Sequence, residues 1–214
     1  MKLDLCRVTA ICVDGRPQTA ETLERYRAIL AYMMSKVQFG CIKMLLTSDP
    51  NIHEIDFIQI PEMNVDGYSN FCIKDMFKYI DTDFCLIFQE DGFILNPNLW
   101  TDEFFRYDYI GAPWPLYIGW PIEGQQVGNG GFSLRSKRLL NFIKDFECKG
   151  NEDVVIANVY RSEIDSAGFT FAPVEVARKF SVEIPIDSDH TLDSSFGFHS
   201  KNLLTQAIEK IGKS

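Results

Sequence analysis

Acidic side chains follow one short apolar segment of the sequence directly. Residues 84–88 (FCLIF) precede Gln89, Glu90, Asp91 and Gly92. Carboxylate oxygens bind Mg²⁺ and Mn²⁺, and such an ion can in turn hold a phosphate group. Asp91 is therefore the first candidate metal ligand. The spacing alone allows a plain hairpin turn equally well, because Asp-Gly is common in such turns.

A cation is required if this chain is to hold a diphosphate. The sequence has 21 Lys and Arg against 30 Asp and Glu, a net charge of −9. Two like unit charges 4 Å apart repel by about 4 kcal/mol at an effective dielectric of 20, so a carboxylate beside a phosphate needs a metal ion between them. The same net charge disfavours nucleic acid as a partner.

The apolar pattern predicts the elements that must position Asp91. Continuous apolar runs predict buried strands at residues 6–13, 42–47, 55–60 and 84–88. Helical spacing of apolar residues predicts helices near residues 23–37, 69–80, 136–146, 153–164 and 201–211, the first of which ends at Gly40. Strands and helices that alternate in this way predict one α/β domain with a mostly parallel central sheet flanked by helices.

The order of the elements distinguishes Asp91 from a second acidic motif. Ligands of a parallel sheet bind beyond the carboxyl ends of its strands. Asp91 follows the predicted central strand, whereas Asp81 and Asp83 precede it. We therefore expect Asp81 and Asp83 to lie in solvent at the opposite rim.

The cysteines and the apolar stretches indicate in which cellular compartment the protein is expected. Six cysteines form no CxxC pair, which favours free thiols and a reducing cytoplasm. No apolar stretch approaches the roughly 20 residues that span a bilayer, and no signal-peptide core follows Met1, so the sequence predicts no membrane span. The chain could equally be one domain of a longer protein.

Motifs over most of the chain resemble GT-A-fold glycosyltransferases. The segment FCLIFQEDGFILNP (84–97) resembles the metal-binding signature of that fold. It is followed in order by YDYIGAPW (107–114), VGNGGFSLRS (127–136), EDV (152–154) and FGFH (196–199). This order resembles a little-characterised glycosyltransferase-like family and is similar to small glycosyltransferase domains of large algal viruses. The fold implied is GT-A-like, with a Rossmann-like nucleotide-binding half and a loop-rich acceptor half.

The resemblance implies a metal-dependent hexosyl- or deoxyhexosyltransferase. It would move a sugar from a nucleotide sugar, a UDP-sugar, to a hydroxyl of a glycan or glycoprotein acceptor. The resemblance places metal binding on Asp91 and, through a late loop, on His199, which tilts the choice between Mg²⁺ and Mn²⁺ towards Mn²⁺. Without the resemblance, His199 is better explained as a packing or capping residue. Gln89 replaces the first acid of the signature, so its amide is left to contact ribose or metal-bound water.

Glu152 and Asp153 open a predicted helix and are the candidate catalytic residues. Asp153 would accept the proton of the acceptor hydroxyl if the reaction inverts configuration. In a retaining reaction it would only orient the acceptor. Helix capping alone explains both acids equally well, because the helix dipole favours negative charge there.

Further contacts to the donor are expected from three parts of the chain. Gly130 and Gly131 allow close backbone approach to the donor sugar. Val13 and Asp14, after the first strand, are the uridine contacts that fold analogy suggests. Lys74 could reach the diphosphate, although a solvated helix face explains it better.

Two tryptophans are candidate contacts for a sugar. Trp114 and Trp120 could form an apolar platform for a sugar ring, or simply pack their loop.

A catalytically silent nucleotide-sugar or carbohydrate-binding module remains an alternative, because the change to Gln89 could have abolished catalysis. A nucleotidyltransferase is disfavoured because the sequence lacks a Gly-rich basic phosphate loop.

Overall fold

The computed structural model describes residues 1–119 and 121–212. Its main sheet has six strands in the order β3-β2-β1-β4-β6-β5. The strands are β1 Leu3–Asp14, β2 Val37–Leu46, β3 Asp56–Gln59, β4 Phe84–Ile87, β5 Tyr109–Ile110 and β6 Ser133–Ser136. The first four run parallel to one another, β6 is antiparallel to β4, and β5 is antiparallel to β6. The predicted mostly parallel sheet is confirmed.

Seven α-helices are assigned in the described ranges. They are α1 Ala20–Lys36, α2 Val65–Lys74, α3 Lys137–Ile143, α4 Glu152–Val154, α5 Arg161–Ser166, α6 Val174–Phe180 and α7 Leu204–Gly212. A second, two-stranded parallel sheet pairs β7 (Ser181–Val182) with β8 (Gly197–Phe198). None of the helices within residues 1–119 and 121–212 is long and apolar enough to cross a bilayer.

Strand β4 lies inside the sheet, between β1 and β6, and both of its faces are covered. Phe84 and Leu86 pack in a core with α1, α6 and α7, whereas Cys85 and Ile87 pack on the other face with α2, α3 and α5. A strand that is buried on both faces has no polar positions, which explains its continuous apolar run. All six cysteines of the chain are free thiols, as predicted.

The predicted end of the first helix was wrong. Helix α1 ends at Lys36 and β2 begins at Val37, so Gly40 lies inside β2. A Cβ atom on Gly40 would lie 2.4 Å from the backbone oxygen of Cys6, close to the register shift between β1 and β2. Glycine is therefore needed here for close strand packing, and backbone pairing with β1 from Val37 onwards ends the helix early.

Two further predicted helices differ from the observed ones. Asn64 caps α2 by accepting a hydrogen bond from the backbone N–H of Gly67, so the helix starts earlier than its apolar pattern suggests. The predicted helix at 153–164 is divided into α4, a π-helical turn at Val155–Val159 and α5. The π-helical turn buries Val155 and Ile156 in the core.

Asp108 ties three segments together at the end of the sheet opposite the predicted site. Its carboxylate accepts hydrogen bonds from Ser136 Oγ at 2.6 Å, Arg138 Nε at 2.6 Å and the backbone N–H of Thr170 at 3.0 Å. The residue is buried. A buried hydrogen-bond acceptor with several donors is costly to remove, because its donors lose their partners.

We expect Asp108→Ala to lower the free energy of unfolding by about 1 to 3 kcal/mol, since the buried hydroxyl of Ser136 would lose its acceptor. Urea denaturation measures this change. The control is Asp145→Ala at an exposed position, where a change within about 0.5 kcal/mol is expected. Equal stability of the two variants would contradict the role assigned to Asp108.

Candidate functional site

Two adjoining cavities lie at the carboxyl ends of β1 and β4. The first, here called the Asp91 cavity, has a volume of about 470 Å³ and is lined in part by Val13, Asp14, Asp91 and His199. The second, the Asp153 cavity, has a volume of about 220 Å³ and is lined in part by Gly130, Gly131, Glu152 and Asp153. Gln89, Tyr68, Val65 and His199 line both cavities. Ligands of parallel sheets bind beyond the carboxyl ends of the strands, which is where these two cavities lie.

Two other hollows of the described surface are lined by none of the predicted site residues. A groove of about 510 Å³ lies at the opposite rim, around Asp83 and Lys137, and one of about 1000 Å³ lies beside the amino terminus. As expected, Asp81 and Asp83 are at that opposite rim, where they form ion pairs with Lys43 and Arg7. Volume alone therefore does not select a candidate site, and we select the Asp91 and Asp153 cavities because predicted site residues line them.

The acidic motif forms a tight turn that points one acid into the cleft. Gln89 and Gly92 exchange two backbone hydrogen bonds, of 2.7 and 3.2 Å. Glu90 forms ion pairs with Arg16 at 3.0 Å and Arg25 at 2.8 Å. Asp91 instead lines the cavity. The hairpin turn and the candidate ligand, which the sequence left as alternatives, are thus two aspects of one structure.

A late segment of the chain brings His199 to Asp91. The backbone N–H of Ser200 donates to the backbone oxygen of Asp91 at 2.8 Å, and that of His199 donates to Val182 at 3.0 Å. His199 Nε2 lies 3.8 Å from Asp91 Oδ1. Two predicted ligands from distant parts of the sequence therefore face the same cavity.

Glu183 is a site residue that the sequence reasoning missed. Its Oε1 lies 3.6 Å from His199 Nδ1, and the residue lines the Asp91 cavity. Burial opposes protonation of the imidazole, but Glu183 and then Asp91 outweigh it and raise the pKa of His199 above its ordinary value. Glu183 directly follows strand β7, and an acid after a strand is the same signal that identified Asp91. The shortness of β7 concealed it.

Glu152 and Asp153 form one wall of the Asp153 cavity. Asp153 Oδ2 accepts a hydrogen bond from the backbone N–H of Gly130 at 3.0 Å. Glu152 is buried, and its Oε1 accepts a hydrogen bond from Arg135 Nη2 at 2.8 Å. Burial raises the pKa of Glu152 to about 7, although Arg135 favours the charged form.

The two glycines pack directly against these functional side chains. A Cβ atom on Gly130 would lie 2.1 Å from Glu152 Oε1, and one on Gly131 would lie 2.2 Å from His199 Nε2. Only a residue without a side chain fits at either position. The glycine pair was predicted to permit close approach to a donor sugar, and in the structure it permits close approach to the acid and the imidazole.

Asp14 lines the Asp91 cavity, but its carboxylate already accepts hydrogen bonds from other residues of the protein. Arg16 Nε donates to it at 2.8 Å and the hydroxyl of Tyr26 donates at 2.9 Å. Burial opposes the charge, yet the hydrogen bonds from Arg16 and Tyr26 lower the pKa of Asp14. The residue therefore helps to form the wall of the cavity beside Val13, and the contact of these two residues with uridine stays a prediction.

Lys74 and Trp114 line neither the Asp91 cavity nor the Asp153 cavity. Lys74 is the last residue of α2, about 13 Å along the helix from Val65, and it does not line either cavity. Trp114 is buried against Gly128, where a Cβ atom would lie 1.7 Å from the ring, so it packs its loop. Trp120 lies outside the described residues.

The residues of the Asp91 cavity suit a hard divalent cation in an open site. Asp91 offers a carboxylate oxygen and His199 an imidazole nitrogen, a donor set that suits Mn²⁺. Within residues 1–119 and 121–212, no three or more His, Cys, Asp or Glu side chains are arranged as a closed metal site. Ions of this kind are commonly held by one or two protein ligands together with substrate phosphates and water. The residues therefore fit a metal that is completed by its substrate.

Comparison with solved structures defines the class of fold. A glycosyltransferase involved in the glycosylation of the major capsid of PBCV-1 matches with a TM-score of 0.56 and 12% identity, over 97% of this chain and 99% of that chain. The catalytic domain of Drosophila β1,4-galactosyltransferase 7, solved with xylobiose, matches with a TM-score of 0.44 and 16% identity, over 78% of this chain and 64% of that chain. The GT-A-like fold and its similarity to an algal-virus enzyme, both predicted from the motifs, are confirmed.

The family follows from the sequence. Residues 54–199 match the family described as "Protein of unknown function (DUF5672)", and the chain belongs to this family. No curated protein matches the chain at a significant level. The matched range includes the Asp91 turn, the glycine pair, Asp153 and His199.

We expect Gly131→Ala to displace the ring of His199, because the added Cβ would lie 2.2 Å from Nε2. With only three histidines in the chain, ¹⁵N–¹H NMR of the imidazoles can follow each ring. The signals of His199 should shift, while those of His53 and His190 should not.

The matched control for this variant is Gly212→Ala, whose Cβ would meet nothing within 4 Å. It should leave all three imidazoles unchanged. If Gly131→Ala also left His199 unchanged, the contact between the glycine loop and the imidazole would be refuted.

Proposed function

We propose that this protein is a metal-dependent glycosyltransferase that moves a sugar from a UDP-sugar to a hydroxyl of a glycan or glycoprotein. The observation that carries the proposal is the meeting of Asp91 and His199 at the carboxyl edge of the sheet, 3.8 Å apart in a cavity of about 470 Å³. The GT-A-like fold supports the same reaction class.

The Asp91 cavity is the proposed site of the nucleotide diphosphate. Val13 and Asp14 at the end of β1 form one side, and His199, Ser200 and Lys201 form another. The cavity lies where nucleotides bind in open parallel sheets, beyond the strand ends. The acidic chain cannot attract a diphosphate by its net charge, so an ion held by Asp91 and His199 is part of the proposal.

A bound Mn²⁺ or Mg²⁺ would act as a Lewis acid that stabilises the charge on the departing diphosphate. The protein's part is to hold Asp91 and His199 in place. The backbone bond from Ser200 to Asp91 and the close packing of Gly131 on His199 do this. Rigid support of this kind lowers the cost of reorganisation during reaction.

The Asp153 cavity is the proposed site of the acceptor hydroxyl and the transferred sugar. It adjoins the Asp91 cavity through Gln89 and His199, so a sugar attached to the diphosphate could extend into it. Asp153 is partly exposed and is held by the backbone N–H of Gly130. In an inverting reaction its carboxylate accepts the acceptor's proton, and in a retaining reaction it orients the acceptor.

We expect Asp91→Ala to weaken Mn²⁺-dependent UDP binding at least tenfold, because the site would lose one of its two protein ligands. Calorimetry with UDP, with and without Mn²⁺, measures this. Asp145→Ala, at an exposed acid that lines neither cavity, should bind as the parent does. Unchanged affinity in Asp91→Ala, with circular dichroism showing an intact fold, would remove Asp91 from the metal site.

We expect Asp153→Asn to bind UDP within about twofold of the parent but to transfer sugar at least tenfold more slowly, as loss of a general base predicts. The amide oxygen can still accept the hydrogen bond from Gly130, so the loop should be retained. Release of UDP from a panel of UDP-sugars with glycan acceptors measures transfer. Glu163→Gln, an exposed change on α5, is the control.

Full activity of Asp153→Asn would show that this acid only caps its helix. No UDP release by the parent protein with any donor, together with tight UDP binding, would instead favour a catalytically silent module.

A further inference from the structure

The loop between Val127 and Gly131 is rich in glycine, and its one other internal residue is Asn129. Gly128, Gly130 and Gly131 surround Asn129, and yet it is Asn129 that has a positive φ, of 46°. Glycine adopts such a backbone most readily and asparagine also tolerates it, so the backbone geometry alone does not require a side chain at this position.

The side chain of Asn129 contacts His199, the proposed metal ligand, at Nδ1 of the imidazole. Its amide lies against His199, with Nδ2 and Nδ1 3.1 Å apart. Asn129 is 2% exposed, and its Oδ1 has no hydrogen-bond partner among the described residues. The nitrogen and oxygen of an amide exchange places by a half turn of the side chain, and their assignment rests on the hydrogen bonds around them. A half turn would place Oδ1 against His199 Nδ1.

The chemistry of a histidine ligand decides which atom of the amide is needed there. A metal bound at Nε2 requires the proton of the neutral ring to be on Nδ1, and that N–H then needs an acceptor. Asn129 can supply its oxygen, and the backbone oxygen of Asn129 is itself held by the hydroxyl of Tyr109 at 3.3 Å. The rival acceptor, Glu183, is farther from Nδ1, at 3.6 Å, and its side chain is 25% exposed.

We propose that Asn129 is a positioning residue, whose amide oxygen accepts the Nδ1–H of His199 and so directs the Nε2 lone pair into the Asp91 cavity towards a divalent cation. This inference rests on the metal site of the proposed function and adds the residue that sets the tautomer and orientation of its imidazole.

The test compares three variants by their affinity for Mn²⁺ alone, measured by EPR of the free ion, and by the coupling of bound Mn²⁺ to ¹⁵N-labelled histidine. Asn129→Gly keeps a residue that tolerates the positive φ but removes the amide. It should weaken Mn²⁺ binding 10- to 100-fold, the usual effect of losing such a supporting group, and reduce the histidine coupling. A purely structural role in the loop would leave both measurements unchanged.

Asn129→Asp keeps an acceptor and removes the amide donor, so it should bind Mn²⁺ at least as tightly as the parent and retain the histidine coupling. Glu183→Gln should change the affinity less than Asn129→Gly does. The proposal is overturned if Asn129→Gly matches the parent, if Asn129→Asp is as weak as Asn129→Gly, or if Glu183→Gln alone abolishes the coupling.

Failure of the proposal and failure of the proposed function give different results. Normal Mn²⁺ binding by both the parent and Asn129→Gly would remove Asn129 from the account and leave the metal site in place. Absence of Mn²⁺ binding by the parent would overturn the metal site itself, and the role of Asn129 with it.

Discussion

The interaction on which the cleft depends is the approach of His199 to Asp91, 3.8 Å apart at the carboxyl edge of the sheet. With a net charge of −9, the protein offers a diphosphate no favourable overall field. The structure brings an imidazole from a late segment to Asp91 and fixes it there through backbone bonds from Ser200 and His199. In the function we propose, a divalent ion between these side chains would offset the negative charge of the carboxylate and of the diphosphate.

Rigidity behind the cleft comes from the glycine loop and from buried charge. Arg135 is fully buried and forms an ion pair with Glu152 at 2.8 Å beneath Gly130. Such a pair is costly to bury and contributes little net stability, so its use here is better explained by the fixed position it gives to the loop. The loop in turn contacts Asp153 and His199, so one buried pair supports both cavities.

The sequence predicted the parts of the fold that depend on local pattern. The apolar run of β4 and the turn at Asp91 were found because a strand buried on both faces has a distinctive composition and its end is defined by position. Gly40 was misread because its role depends on contact with Cys6 in another strand. Glu183 was missed because a strand of two residues has no recognisable sequence pattern. The distance of Lys74 from the cleft depends on where α2 begins, and the cap at Asn64 determines that start.

The most direct measurement is anomalous diffraction at the manganese edge from crystals grown with Mn²⁺ and UDP. The account predicts one strong peak in the Asp91 cavity, in contact with Asp91 and His199 Nε2 and with the diphosphate oxygens of UDP. UDP bound in that cavity without manganese, or manganese bound only at another surface, would contradict it.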